Sequence, residues 1–258
     1  MKKALLLSVA AAGFLALPGL AAAQEQPARP PMLFVYTDNV APAHMAQYET
    51  AVKEAVGKVM ATAEGAKLDW IAASGMGSWY LYAFPMQTMA DMVTINQDWE
   101  AAVKAAGGPA IFAKSDQLVE YADAAIVAFR PDMSYIPANP SEAESAGNFR
   151  HWSFWHPLPG KAQELEAVAR EFAELYRANN MGSGWRMYQR IIGSELPAYI
   201  VASTGMSPAD YHSTSEAANA TLGAEAEALF QKAFAITRRV ETRDGMMRPD
   251  MAAGAFKK

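Results

Sequence analysis

The sequence predicts an α+β protein made of two tandem ferredoxin-like (βαββαβ) units whose antiparallel sheets pack into an intramolecular α/β barrel. Three observations predict it. Phe129-Arg130-Pro131-Asp132-Met133 returns as Met247-Arg248-Pro249-Asp250-Met251, with the arginines 118 residues apart. Earlier landmarks recur at nearly that distance: Ala90-Asp91 as Ala209-Asp210, Gly77-Ser78 as Gly193-Ser194, and Trp70 as Trp185, at offsets of 119, 116 and 115. Within each copy the element order strand, helix, two strands, helix, strand is the same. A unit of this length is too long for a solenoid repeat and is the size of a small domain.

In the first copy, Met32 to Thr37 reads as a strand ended by Asp38-Asn39. Ala43 to Glu64 reads as a helix, because Met45, Tyr48, Val52, Val56, Val59 and Met60 fall three and four apart. Asp69 to Ser74 and Ser78 to Phe84 form a hairpin about Gly75-Met76-Gly77. Thr88 to Ala106 is helical and stops at Gly107-Gly108-Pro109; Ile111 to Tyr121 adds a shorter helix, and Ala124 to Phe129 the last strand. Pro137 to Gly147, rich in Pro, Ala, Ser and Glu, reads as an exposed linker.

The second copy follows suit. Arg150 to His156 is a strand and Lys161 to Asn179 a helix with Leu165, Val168, Phe172, Leu175 and Tyr176 on one face. Gly184 to Ile192 and Ala198 to Ser203 make the hairpin. Ser207-Pro208 starts the next helix, since a serine cap followed by proline satisfies otherwise unpaired amides; it breaks near Gly223 and ends about Ala235. Thr237 to Arg243 closes the sheet. The division is therefore a leader at 1–23, a first unit at 24–136, a linker at 137–148 and a second unit at 149–258.

Lys2-Lys3, the apolar stretch Ala4 to Leu20 and Ala21-Ala22-Ala23 read as a secretory leader cleaved before Gln24. The mature protein is expected in the periplasm or secreted, with no membrane insertion after cleavage. With no cysteine, it has no disulfides. Removing the two leader lysines leaves 20 basic against 27 acidic residues, a formal charge of −7. Nucleic acid is not an expected partner, because phosphate binding needs a clustered basic surface. A hydrophobic content of 52% leaves room for a buried interface, and a homo-oligomer is compatible with it. Phosphate-cradling glycine loops, nucleophile elbows and cysteine nucleophiles are absent from the sequence.

The chain resembles the dimeric α/β-barrel superfamily. His156-Pro157-Leu158-Pro159-Gly160-Lys161 with Gln163-Glu164-Leu165 is similar to the strand-turn-helix segment of antibiotic-biosynthesis-monooxygenase-like and NIPSNAP-like members. Gly184-Trp185-Arg186 and Tyr199-Ile200-Val201 fit their central hairpin. The resemblance covers about Met32 to Met251 and implies two sheets enclosing a cavity. It offers a menu of cofactor-free monooxygenases, haem-degrading enzymes, haem peroxidases and members without known chemistry, so the site must choose.

Strand alternation puts Arg186, Tyr188 and Arg190 on one face and Trp185, Met187, Gln189 and Ile191 on the other. Arg186, Tyr188, Arg190, Arg239 and Tyr199 are the candidate lining of a polar, aromatic cavity for an anionic or quinone-like ligand. Arginines paired with Glu241 across the interface are the alternative. His151 and His156 lie five apart on one strand, so they face opposite sides; either is a candidate single proton acceptor beside Trp152 and Trp155. No carboxylate-histidine cluster is visible along the sequence, and no metal is expected. No cofactor is expected either. The haem pattern that the resemblance implies fits only Asn39, Trp70 or Trp79, and His212, which are split between the copies. The copies differ after the shared tryptophan, Ile71-Ala72-Ala73 against Arg186-Met187-Tyr188, which points to a single pocket on the second copy.

Three readings stand: a binder of a small anionic or aromatic molecule, with catalysis left open; a cofactor-free monooxygenase-like oxidoreductase using Tyr188, Arg186 and a histidine; and a non-catalytic assembly module.

Overall fold

The first unit runs β1 (Met32–Val40), α1 (Met45–Met60), β2 (Ile71–Gly75), β3 (Trp79–Met86), α2 (Asp91–Ala105), the short α3 (Ala113–Asp116) and β4 (Val119–Phe129). After α4 (Glu142–Ala146) the second runs β5 (Phe149–Pro157), α5 (Ala162–Ala178), β6 (Trp185–Ile192), β7 (Ala198–Gly205), α6 (Pro208–Ala235) and β8 (Thr237–Met247). The structure is a computed structural model and describes residues 30–254. The expected leader at 1–23 lies outside them. Among the described residues no helix is long and apolar enough to cross a membrane.

All eight strands close into one antiparallel barrel in the order β1-β3-β2-β8-β5-β7-β6-β4. Each unit supplies four consecutive strands, and the seams are β2 against β8 and β4 against β6. At the first seam Gly75 faces Gly245. A Cβ on Gly245 would stand 2.4 Å from the Ser74 carbonyl oxygen, so the close approach across the seam requires glycine there; one on Gly75 would stand 1.8 Å from the indole nitrogen of Trp79 in its own hairpin.

The helices lie outside the barrel and bury one face each. Tyr48, Val52, Val56 and Val59 of α1 pack with Trp70 and Tyr80 in a first core. Leu165 and Val168 of α5 pack with Met187, Tyr199 and Leu229 in a second. Ser207 caps α6 by accepting the Asp210 N–H at 3.1 Å, Pro208 takes the first turn, and the helix breaks at Gly223, whose φ of 56° suits glycine.

Three local readings are corrected by long-range contacts. β1 continues through Asp38 and Asn39, because the buried Asp38 carboxylate accepts the Tyr48 hydroxyl at 2.5 Å. β4 starts at Val119 rather than Ala124, since β1 offers partners as far as Val40 and strand pairing overrides the local helical pattern. The linker carries a short helix, α4, capped by Ser141, which accepts the Glu144 N–H at 3.2 Å. Most of the segment is exposed as expected, yet the Glu144 side chain is only 3% exposed and turns into the barrel.

Candidate functional site

Alternation along the strands of the second unit turns a basic and aromatic set inwards. Arg150, Trp152 and Phe154 come from β5, Arg186, Tyr188 and Arg190 from β6, and Arg243 from β8. The first unit faces them with Leu33, Val35, Leu81, Ala83 and Val127. Between the two walls lies a cavity of ≈ 980 Å³, at the upper end of the range of small-molecule sites. Ile136, Pro137 and Glu144 of the connecting segment contribute to its lining. The polar lining comes mainly from the second unit, and the first completes the cavity with a mostly apolar wall that also carries Thr37, Asn39 and Asp123.

The charge is one-sided. Four arginines line the cavity against two acids, Asp123 and Glu144. Arg243 packs between two rings, its guanidinium carbon 5.7 Å from the Trp79 centroid and 5.2 Å from that of Phe154. Trp152 meets Trp79 edge to face at 5.2 Å. Arg190 donates to the Ser194 carbonyl at 2.9 Å and keeps a buried Nε with no hydrogen-bond partner among the described residues. Arg186 pairs with Glu144.

Of the residues singled out from the sequence, Arg186, Tyr188 and Arg190 come together in the cavity. Tyr199 does not. It is fully buried on the outer face of β7, where its hydroxyl donates to Glu166 at 2.7 Å, and burial pushes its pKa up. Its strand partner Gln189 already carried the signal, because Gln189 belongs to the outward set of β6. Arg239 lies beyond the cavity, 40% exposed, paired with Glu195 and with Glu241 at 2.8 Å. The Glu241 partner is the one that the alternative reading named, but all three residues belong to the second unit, so the pairing does not cross between the copies.

The two histidines do face opposite sides, and neither lines the barrel cavity. His151 stacks on Tyr211 at 4.5 Å and bonds Asp244 at 2.7 Å on the helix side of the sheet. His156 is 2% exposed near the end of β5, with its pKa lowered by burial and then by Arg239. There the fold assembles what no single segment shows: His156, Glu195 and Glu241 offer ligand atoms within 4.8 Å of one another. The Arg239 guanidinium already supplies a cation to both carboxylates, so the group is an ion-pair network as it stands.

A smaller hollow of ≈ 200 Å³ lies between the second sheet and α5 and α6, lined by His151, Trp155, Trp185 and Tyr211. The residues considered for haem do not fit that group. Asn39 and Trp79 line the barrel, whereas His212 lies near His151 on the other side of the sheet and Trp70 is buried in the first core. The small hollow is below the ordinary range for a ligand site.

Arg150, Trp152, Phe154, Arg243, Trp79 and Glu144 were missed as site residues. Arg243 shares the alternation that placed Arg239, two pairs further along. Glu144 carries no periodic signal.

No protein-family model matches the sequence, and no curated protein matches it. Solved structures do. An anthrone oxidase-like protein superposes with a TM-score of 0.58 at 12% identity, over 87% of this chain and 94% of the other. A protein assigned as a monooxygenase from Lactobacillus acidophilus NCFM gives 0.51 at 7%, over 87% and 96%. Chlorite dismutase from Candidatus Nitrospira defluvii, in complex with imidazole, gives 0.50 at 13%, over 86% and 93%. The chain shares the fold of these proteins, in its case with both four-stranded units in one polypeptide.

Proposed function

We propose that this is an exported protein that binds a small anionic, ring-bearing molecule inside the barrel. The observation that carries the reading is the split character of the ≈ 980 Å³ cavity, mostly apolar on the first unit and lined by four arginines on the second. Aromatic and aliphatic walls remove a ring from water, and guanidinium groups hold a carboxylate or phenolate. A filled barrel would have favoured an assembly module instead. A cofactor-free monooxygenase, the alternative suggested by the Lactobacillus acidophilus neighbour, needs a base in reach of its substrate. His151 and His156, the residues considered for that task, lie outside the cavity, so binding is the reading that the geometry supports best.

Calorimetric titration with 2-naphthoate, and with the neutral 2-naphthamide as control, tests it. The expected result is saturable one-to-one binding that favours the anion and is abolished by Ala202→Trp, which fills the cavity from β7. Binding unchanged by Ala202→Trp places the ligand elsewhere and sinks the reading. Sequencing the amino terminus of protein recovered from the periplasm tests export, with Gln24 the expected first residue.

A further inference from the structure

Glu144 combines two features that are rarely left together in a protein interior. Its side chain is 3% exposed, and its Oε2 has no hydrogen-bond partner among the described residues, while the other oxygen pairs with Arg186. A buried carboxylate with one oxygen unsatisfied is costly, because the lone pairs given up to water are not replaced. Glu142, Ser145 and Ala146 are exposed, and the segment is tied by backbone contacts at its ends, Ser141 N–H to the Gly182 carbonyl at 2.9 Å and Gly147 N–H to the Ala143 carbonyl at 2.9 Å. The carboxylate enters a cavity that holds twice as many arginines as acids.

We infer that Arg186 is the carboxylate subsite of the cavity and that Glu144 occupies it in the free protein as a built-in competitor, to be displaced by the carboxylate of the ligand. The inference rests on the barrel as a ligand site and adds where the anionic end binds and what it must remove. Arg186 holds Glu144 through one oxygen only, so exchanging it for a ligand carboxylate keeps the ion pair and leaves room for a second, bidentate bond. Glu144, freed, has a short path to solvent beside exposed Ser145. The apparent affinity for an anion is then lowered by the fraction of protein in which Glu144 holds the subsite.

The test is calorimetry on the full chain with 2-naphthoate and 2-naphthamide. Glu144→Gln is expected to tighten 2-naphthoate by about tenfold and to leave 2-naphthamide unchanged. Adding Arg186→Gln to it removes the gain, whereas Glu142→Gln, the same charge change on the exposed side of α4, has no effect. Circular dichroism checks that each variant is folded. If Glu144 serves only the fold, its substitution weakens both ligands, which overturns the inference. So does 2-naphthoate binding that Ala202→Trp blocks but Glu144→Gln leaves unchanged; the cavity reading survives that result. If neither ligand binds any variant, both fall.

Discussion

Arg130 Nη1 lies 3.0 Å from Glu166 Oε1, and the bond crosses from the end of one unit to the first helix of the other. The second copy of the phrase does the same in reverse: Arg248 donates to both oxygens of Glu49 on α1, at 2.7 and 2.6 Å. Each arginine is steadied by the aspartate two residues on, Asp132 or Asp250, and each glutamate accepts a tyrosine hydroxyl, from Tyr199 or Tyr80. The repeated Arg-Pro-Asp-Met phrase is a pair of reciprocal latches across the barrel seams. Arg130→Ala and Arg248→Ala are each expected to cost roughly 2 kcal/mol, measured by urea unfolding, because each removes the two-pronged partner of a largely buried glutamate and leaves it only the more exposed Arg170 or Lys53. The two sets share no partner, so the costs add. Lysine restores only part, since it cannot bridge two oxygens.

The latches make stability depend on acid. The Arg248 hydrogen bonds hold Glu49 below the usual carboxylate range, and Arg130 does the same for Glu166. Asp132 is brought from 3.8 to about 2, first by Arg130. Folded-state values below the unfolded ones mean that the stability is present above the unfolded pKa and is lost as pH falls through the folded one. The contribution of the latches, read as the difference in melting temperature between the protein and its Arg130→Ala, Arg248→Ala double variant, is expected to be constant from about pH 7 to pH 5 and to shrink between about pH 4 and pH 2.

Periodicity and the repeat made the two units and their helix faces legible, because Tyr48, Val52 and Val59, or Leu165 and Val168, record burial in their own spacing. Alternation likewise placed Arg186, Tyr188 and Arg190 together. What escaped was set by register between strands. Tyr199 was assigned inwards because its parity relative to β6 is fixed only by its pairing with Gln189. The His156, Glu195 and Glu241 group draws on a strand, a hairpin loop and another strand, and no single segment shows it. Glu144 enters the cavity because a connecting segment folds back over the barrel, a long-range event without a local pattern.

Gly75→Ala tests the seat of Trp79 against the strand before it. The added methyl meets the Trp79 ring 1.8 Å from its nitrogen, and that ring is already fixed by Trp152 and Arg243. Either the indole or the β2–β3 hairpin must move. A loss of roughly 2–3 kcal/mol is expected by denaturant unfolding, with weaker 2-naphthoate binding because Trp79 lines the cavity. Unchanged stability would show that the Trp79 indole shifts at little cost.

Arg243 is the residue that should distinguish an aromatic anion from an aliphatic one. Its guanidinium is pinned between Trp79 and Phe154, so its charge is presented with little freedom left to lose when a ligand arrives. A flat ring bearing a carboxylate can meet the charge and extend the stack, whereas an aliphatic carboxylate can meet only the charge. Arg243→Gln is therefore expected to weaken 2-naphthoate by about tenfold while lowering octanoate affinity by less, both read by calorimetry. The same substitution frees Trp79, and its near-ultraviolet circular dichroism should change accordingly. Equal losses for the two anions would mean that Arg243 acts by charge alone and that the ring stack confers no preference.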